Sequence, residues 1–301
     1  MNENILEISK EKFSESLLLS RLLNLHKPPE KIFIRGKLPE FTIDEYGRLL
    51  PRILTVVGSR KNTFYSRDVI EKLFKELQNY PIVIVSGLAL GIDGLAHINA
   101  LKNNLITIAI PGSGLDDSVL YPKSHFNLAK DILANNGVLL SELEHDASAQ
   151  QWTFPSRNRI MSALSDALLI IEAKEKSGTL ITARQSLEQG IDIGVVPANI
   201  FSENSKGSNA LLKEGAYPIC NINDLLDLLH LSKSKNEEVK QTELFLSGNE
   251  KIIFDLLSEN MSTDELLSKS KLSPQEFLIA ISSLEMNSLI QETFGEVRKI
   301  V

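Results

Sequence analysis

The fold of this chain is decided by residues 53–97, ILTVVGSRKNTFYSRDVIEKLFKELQNYPIVIVSGLALGIDGLAH. Two apolar runs, 53–57 and 82–85, each end at small polar residues, and a helical spacing of apolar residues lies between them. Both runs are hydrophobic throughout, which is typical of parallel strands covered by helices on both faces. The stretch therefore predicts a strand–helix–strand unit whose ligand would bind beyond the carboxyl ends of the strands.

The same alternation of strand and helix continues along the chain. Further apolar runs predict four more strands, at 105–110, 138–140, 167–171 and 193–197. We therefore expect an α/β fold, a Rossmann-like doubly wound parallel sheet, over residues 46–230. Before the fifth strand of this sheet, residues 151–156 are expected to be extended and 157–164 to be helical.

Two smaller domains are predicted to flank the sheet. Residues 1–45 carry a helical pattern and predict a small helical N-terminal domain. Residues 231–249 are polar and charged, which is typical of a linker. Residues 250–301 contain three short amphipathic helices and then two β-prone pieces, the order found in a winged helix-turn-helix domain.

The presumptive recognition helix of that C-terminal domain has an unusual charge. Residues 273–287 contain Glu276 and Glu285 but no lysine or arginine. A helix that reads a major groove needs cations for the phosphates. We therefore interpret the winged helix as a protein-contact or regulatory module.

Composition excludes several classes of protein. The chain has 301 residues, a net charge of −7 and one cysteine, Cys220. One cysteine excludes an internal disulfide and a cysteine-rich metal site. No apolar run reaches the roughly 20 residues that a membrane span needs, so we expect a cytoplasmic protein without a membrane partner. The net negative charge argues against a protein that binds duplex DNA through a generally basic surface, but it allows a local basic groove.

Small and cationic residues collect where the predicted strands end. A glycine at a strand end lets a ligand approach the backbone, and a following helix start favours an anion. The candidate binding residues are Gly58, Ser59 and Arg60; Ser86 and Gly87; Ser177, Gly178 and Thr179; and Phe154, Arg157, Asn158 and Arg159 of the segment WTFPSRNR. Parallel strands end at one edge of a sheet, so these segments predict a groove lined with arginines that suits a sugar–phosphate backbone. The alternative to a binding groove is that these segments are ordinary βα turns. In that case Trp152 and Phe154 would lie in the core and the arginines would form ion pairs within the protein.

Motifs for cofactors are absent from the sequence. Neither GxGxxG nor GxxxxGK[ST] occurs, so we predict no nucleotide cofactor, and no metal site is predicted. Asp93 and His97 lie one turn apart and could supply acid/base chemistry. Capping or loop hydrogen bonding by Asp93, and a packed, hydrogen-bonded His97, are the favoured interpretations.

An ordered set of motifs carries a family resemblance. It runs PPEKIFIRG, TVVGSR, IVSGLALGIDGLAH, PGSGLD, FPSRNRIMSALSDALLIIEA and SGTLITA. Residues 25–220 thereby resemble the DNA-processing protein A family (DprA, also called Smf). In that family a small helical N-terminal domain, here residues 1–45 and shortened relative to the SAM-like type, commonly precedes the Rossmann-like domain.

The resemblance implies a single-stranded DNA-binding protein of natural transformation (competence). Such a protein protects incoming DNA, helps to load the RecA recombinase for homologous recombination, and forms a homodimer through the Rossmann-like domain. It is not an enzyme. The family's DNA contacts carry over to Gly58, Ser59 and Arg60, to Ser86 and Gly87, and to Phe154, Arg157, Asn158 and Arg159.

Two other functions stay open from the sequence. Related Rossmann-like proteins of the lysine-decarboxylase-like type hydrolyse nucleotides, and Asp93 or Glu142 would then supply the acid/base group. No closely spaced pair of acids with divided roles is evident at the sheet edge, which counts against this. A transcription regulator acting through the winged helix is the third possibility, and the acidic helix 273–287 counts against it.

Overall fold

The computed structural model describes residues 4–231, 246, 248–257, 261–287, 289–293 and 295–299. The chain divides into two compact units, 1–233 and 234–301. Most of the predicted linker 231–249 lies outside the described residues, at 232–245 and 247.

The first unit is built on one nine-stranded sheet. The strands of this sheet are β1 (Leu6–Ser9), β2 (Lys31–Gly36), β5 (Arg52–Val57), β6 (Ile82–Ser86), β7 (Ile106–Ala109), β8 (Val138–Ser141), β9 (Ala167–Ile170), β10 (Asp192–Val195) and β11 (Tyr217–Pro218). Two further strands, β3 (Thr42–Ile43) and β4 (Leu49–Leu50), form a separate two-stranded hairpin. The order across the large sheet is β1-β2-β8-β7-β6-β5-β9-β10-β11. All pairs from β8 to β11 are parallel, which confirms the predicted doubly wound sheet.

Seven helices cover the two faces of this sheet. They are α1 (Phe64–Leu77), α2 (Ile92–Lys102), α3 (Phe126–Ala134), α4 (Thr153–Leu164), α5 (Gly178–Glu188), α6 (Lys206–Lys213) and α7 (Ile222–Leu228). Successive residues of a strand point to opposite faces. In β5, Ile53 and Val57 accordingly join the core beneath α4 and α5, whereas Leu54 and Val56 join the core beneath α1, α2 and α7. The burial of both faces explains why β5 is hydrophobic throughout.

The N-terminal residues differ from the predicted separate helical domain. β2 pairs antiparallel with β8, and β1 pairs antiparallel with β2, so both strands extend the large sheet and make it mixed. Residues 10–15 and 19–24 form 3₁₀ helices rather than α-helices. Phe13 and Leu22 are fully buried in the same core as Ile160 of α4. No unit boundary therefore falls at residue 45, because burying this segment completes the core on that face of the sheet.

Helix α4 begins earlier than predicted. Thr153 is its first residue, whereas 151–156 was expected to be extended. The Thr153 hydroxyl donates to the Gly112 carbonyl at 2.5 Å and accepts from the Gln150 N–H at 3.2 Å, which holds the start of the helix in place. Pro155 lies in the first turn, where the helix does not use its missing N–H. Phe154 is therefore a helical residue, and the neighbouring arginines point in directions set by a helix.

The second unit has its own small core. Its elements are α8 (Gly248–Leu256), β12 (Met261–Ser262), α9 (Thr263–Ser270), α10 (Pro274–Met286), β13 (Ile290–Thr293) and β14 (Glu296–Lys299). The strands form an antiparallel sheet in the order β12-β14-β13. Ser273 caps α10 in a capping box with Glu276, and the Ser262 hydroxyl caps α9. Three helices followed by two strands are present as expected, with the short strand β12 added between α8 and α9, and the winged-helix assignment stays a prediction.

No helix among the described residues is long and apolar enough to span a bilayer.

Candidate nucleic-acid interface

One groove at the carboxyl edge of the parallel strands brings together three of the four predicted segments. We call it the strand-end groove, and it has a volume of about 360 Å³. Nine of the candidate residues line it: Gly58, Ser59, Arg60, Phe154, Arg157, Asn158, Ser177, Gly178 and Thr179. The turns after β5 and β9 form two of its walls, and the N-terminal half of α4 forms a third. The predicted convergence at one sheet edge is therefore present in the structure.

Arg60 is the exposed cation of the turn after β5. Its guanidinium carbon lies 5.2 Å from the centre of the Phe154 ring, within the range of a cation–π contact. It forms no ion pair with any residue that the structure describes. The preceding turn is held in place by the Ser59 carbonyl, which accepts from the Ile92 N–H at 3.1 Å. Gly91 permits this approach, because a Cβ there would lie 2.2 Å from that same carbonyl oxygen. The backbone is thus fixed while the Arg60 side chain remains available to an anion.

Phe154 lies at the mouth of the groove and is half-buried. A Cβ at Gly112 would lie 2.6 Å from the Phe154 ring, so the ring rests directly on the glycine backbone. The Thr153 hydroxyl bond to Gly112 fixes that position. Neighbouring Trp152 is 65% exposed, which excludes the alternative that buried both aromatics in the core. An aromatic surface accessible to a base is therefore present, as expected.

Arg157 lines the groove but is buried and hydrogen-bonded to the protein rather than free, and its predicted contact with a phosphate stays a prediction. It is only 8% exposed, and its guanidinium donates to the Gly87 carbonyl at 2.6 Å and to the Ile110 carbonyl. Those carbonyls follow the ends of β6 and β7. Burial lowers the pKa of Arg157 to about 10, partly offset by the nearby Asp93 carboxylate. Arg157 therefore ties two strand ends together beneath the groove.

The turn after β6 lies behind the groove wall. The Ser86 hydroxyl is fully buried and donates to the Val56 carbonyl at 2.6 Å. Gly87 is in contact with the Arg157 guanidinium, and a Cβ there would overlap it at 2.2 Å. Neither residue lines the groove, and direct contact of Ser86 and Gly87 with a ligand stays a prediction. The tight contact between Gly87 and the buried arginine accounts for the glycine.

Asp93 and His97 are both packed inside. Burial raises the pKa of Asp93, while the Arg157 charge and the backbone N–H groups of Ala89 and Gly87 act to lower it. The His97 Nδ1 lies 2.7 Å from the Thr107 hydroxyl, and burial lowers the pKa of this imidazole to about 3. Both side chains thus follow the packed, hydrogen-bonded interpretation rather than that of an exposed acid/base pair.

Arg159 points away from the strand-end groove. It pairs with Glu142 and donates to the Lys27 carbonyl at 2.7 Å. It lines a separate polar groove between α4, α5 and the 3₁₀ helix 19–24. Arg157 and Arg159 therefore do not face the same groove, because residues two apart on a helix point in nearly opposite directions. That Arg159 contacts DNA stays a prediction.

The turn after β9 supplies the remaining wall. The Ser177 hydroxyl caps α5 by accepting from the Thr179 N–H at 3.1 Å. Lys174 and Lys176 precede it, line the groove and are exposed, as is Lys61 on the opposite side. None of these lysines forms an ion pair within the described part of the chain. They were not among the candidate residues, although three lysines beside strand-end turns were a visible signal.

The groove as a whole combines exposed cations, small residues and one aromatic ring. Arg60 and Lys61 lie on one side, and Lys174 and Lys176 lie on the other. A chain with a net charge of −7 thus concentrates unpaired positive charge at one place. Cations bind phosphates, and a half-exposed ring next to them can stack on a base without reading its sequence.

Comparison with known proteins gives a consistent family. The model of the family described as DNA recombination-mediator protein A matches residues 4–230. DNA processing protein DprA of Bacillus subtilis is 38% identical over 208 residues, which cover 69% of this chain and 67% of that protein.

Two solved structures share the fold at 32% identity. DNA processing protein A from Streptococcus pneumoniae aligns over 75% of this chain and 74% of its own, with a TM-score of 0.64. The structure from Helicobacter pylori, which concerns the single-stranded DNA binding mode of DNA processing protein A, aligns over 75% of this chain and 95% of its own, with a TM-score of 0.61.

Proposed function

Because this chain belongs to the DNA recombination-mediator protein A family, we propose that its strand-end groove binds single-stranded DNA. The observation that carries the proposal is the set of four exposed cations, Arg60, Lys61, Lys174 and Lys176, around the half-exposed Phe154 ring. An unpaired strand offers phosphates and free base faces together, whereas a duplex keeps its bases stacked inside. The same arrangement predicts little dependence on base sequence.

The wider role that we propose is the one that the family resemblance implies. The protein would protect single-stranded DNA taken up in natural transformation and help to load the RecA recombinase on it, in the cytoplasm. Adding the protein to RecA and a nuclease-exposed single strand should speed RecA filament formation and slow degradation of the strand. Loss of the strand at the rate seen without the protein would contradict protection.

We also propose that the protein acts as a homodimer through its first unit. β11 lies at an open edge of the sheet, and a groove beside it is lined by Ile191, Leu211 and Leu228. Leu187 and Tyr217 at this groove are 55% and 44% exposed. Light scattering should give twice the chain mass for the wild type and the monomer mass for Tyr217→Arg. A monomeric wild type at micromolar concentration would contradict this proposal.

Removing groove cations tests the binding proposal. We expect Arg60→Ala and the double variant Lys174→Ala/Lys176→Ala to weaken binding of a fluorescein-labelled dT20, measured by fluorescence anisotropy. Each lost phosphate contact should also reduce the dependence of log affinity on log salt by about 0.7. Lys72→Ala, an exposed lysine on α1, is the matched control. Wild-type affinity and salt dependence in both groove variants would refute the assignment of the groove.

The geometry gives the hydrolase alternative little support. Asp93 is buried near the charge of Arg157 and accepts hydrogen bonds from backbone N–H groups, and Glu142 is paired with Arg159 outside the strand-end groove. A catalytic acid or base must reach the atom whose proton it transfers. We therefore propose binding without catalysis, and release of free base from AMP would contradict it.

A further inference from the structure

We propose that Tyr121 forms a second base-stacking surface, beside Phe154, so that the bound strand is held on two aromatic rings. This inference rests on the proposed binding of single-stranded DNA and adds a residue outside the strand-end groove. Its starting point is the pair of rings: the centres of Tyr121 and Phe154 lie 5.8 Å apart with an angle of 55° between their planes. That separation is typical of interacting aromatic pairs.

Three groups contact the Phe154 ring. They are the Arg60 guanidinium, the Gly112 backbone and the Tyr121 ring, and Tyr121 is not among the residues that line the strand-end groove. Phe154 is half-buried by these neighbours, whereas Tyr121 is 47% exposed. Within this pair of rings, the exposed aromatic surface is therefore mainly that of Tyr121.

The backbone holds Tyr121 in place. Its N–H donates to the Ser113 hydroxyl at 3.1 Å, and Ser113 is itself fully buried. Leu120 on one side and Pro122 on the other are both buried. The exposed ring is thus carried by a fixed segment, so stacking on it requires little additional ordering of the loop.

The neighbouring charge favours a nucleotide over an apolar protein side chain. Arg60, the exposed cation that contacts Phe154, has no ion-pair partner among the described residues, and a phosphate next to a stacked base would satisfy it. Successive bases stack on successive aromatic side chains in other single-strand binders without sequence preference. Tyr121 and Phe154 would act in the same way on neighbouring bases.

The test separates stacking on Tyr121 from its support of Phe154. Binding of dT12 and of a 12-mer abasic backbone is measured by anisotropy for the wild type, Tyr121→Phe, Tyr121→Leu and Tyr121→Ala. Tyr46→Ala is the control, because Tyr46 is 71% exposed on the β3–β4 hairpin. Loss of one stacked base corresponds to a fall in affinity of about 5-fold to 150-fold. We expect that loss for dT12 in the leucine and alanine variants, wild-type binding in Tyr121→Phe and Tyr46→Ala, and no change on the abasic strand.

A second readout uses Trp152, the only tryptophan of the chain, which is two residues from Phe154 and exposed. Its fluorescence should change when dT12 binds to the wild type. Wild-type affinity for dT12 in Tyr121→Leu and Tyr121→Ala would overturn the role of Tyr121 while leaving the proposed function intact. Equal losses on dT12 and the abasic strand would also overturn it, because they would show a structural defect. A wild-type protein that binds neither strand would instead refute the proposed function.

Discussion

Replacing Arg157 by methionine should destabilise the first unit rather than remove a DNA contact. The substitution keeps an unbranched side chain but removes the charge and the donors to the Gly87 and Ile110 carbonyls. It also leaves the buried Asp93 carboxylate without the charge that acts to lower its pKa. Leaving a buried hydrogen-bond acceptor without its partner costs about 1–3 kcal/mol, and two carbonyls lose their donor here. A typical domain has only about 5–15 kcal/mol of stability, so this is a large fraction of the total.

The assay is urea denaturation at pH 7, followed by near-ultraviolet circular dichroism, with the wild type and Arg157→Met in parallel. We expect a lower midpoint with an unchanged slope, since a change of slope would indicate a different unfolded or native compactness. Adding Asp93→Asn to Arg157→Met should recover part of the loss, because the second change removes the unpaired charge. The coupling energy from this double-mutant cycle measures the pair.

DNA binding distinguishes the two interpretations of Arg157. Under conditions where Arg157→Met is folded, we expect its affinity for dT20 to fall, because no side chain then links the ends of β6 and β7 by hydrogen bonds. The salt dependence stays at the wild-type value, whereas Arg60→Ala lowers it by about 0.7. A stable Arg157→Met variant with a reduced salt dependence would refute this reasoning and show a direct phosphate contact.

Three further predictions concern other parts of the first unit. Arg159→Ala should leave dT6 affinity, measured by anisotropy, within about 2-fold of wild type, because Arg159 is paired with Glu142 away from the groove; a larger loss would contradict the placement. Gly112→Ala should weaken dT6 binding by displacing the ring that rests on it, and equal affinity would show that the ring position is unimportant. His97 has a pKa of about 3 when folded and 6.5 as its ordinary value, so the native state holds fewer protons in that interval. The free energy of unfolding should therefore fall as the pH drops from about 6.5 towards 3, by about 5 kcal/mol in all; urea titrations at several pH values should show this slope in the wild type and not in His97→Gln.

The alternation of strands and helices could be read from the chain because it depends on local hydrophobic periodicity. A strand buried on both faces must be apolar throughout, and 53–57 and 82–85 show this directly. Parallel order then places the carboxyl ends of the strands at one edge, so the convergence of the turns at Gly58 and Ser177 was also predictable. A short strand at 32–34 could be recognised from its apolar residues, but its place in this sheet could not. β2 pairs with β8, which lies more than one hundred positions further along the chain.

Which arginines are exposed and which are buried depended on packing. Arg60, Arg157 and Arg159 are the same residue type next to predicted strand ends, and the local sequence does not show where α4 begins. Once the helix starts at Thr153, residues two apart are separated by about 200° around its axis, so Arg157 points inward and Arg159 outward. Arg60, by contrast, stands on a turn and keeps its charge exposed. The sequence therefore determined the sheet and the edge at which the strand-end groove lies, and helix orientation in the folded core decided which cations remain exposed there.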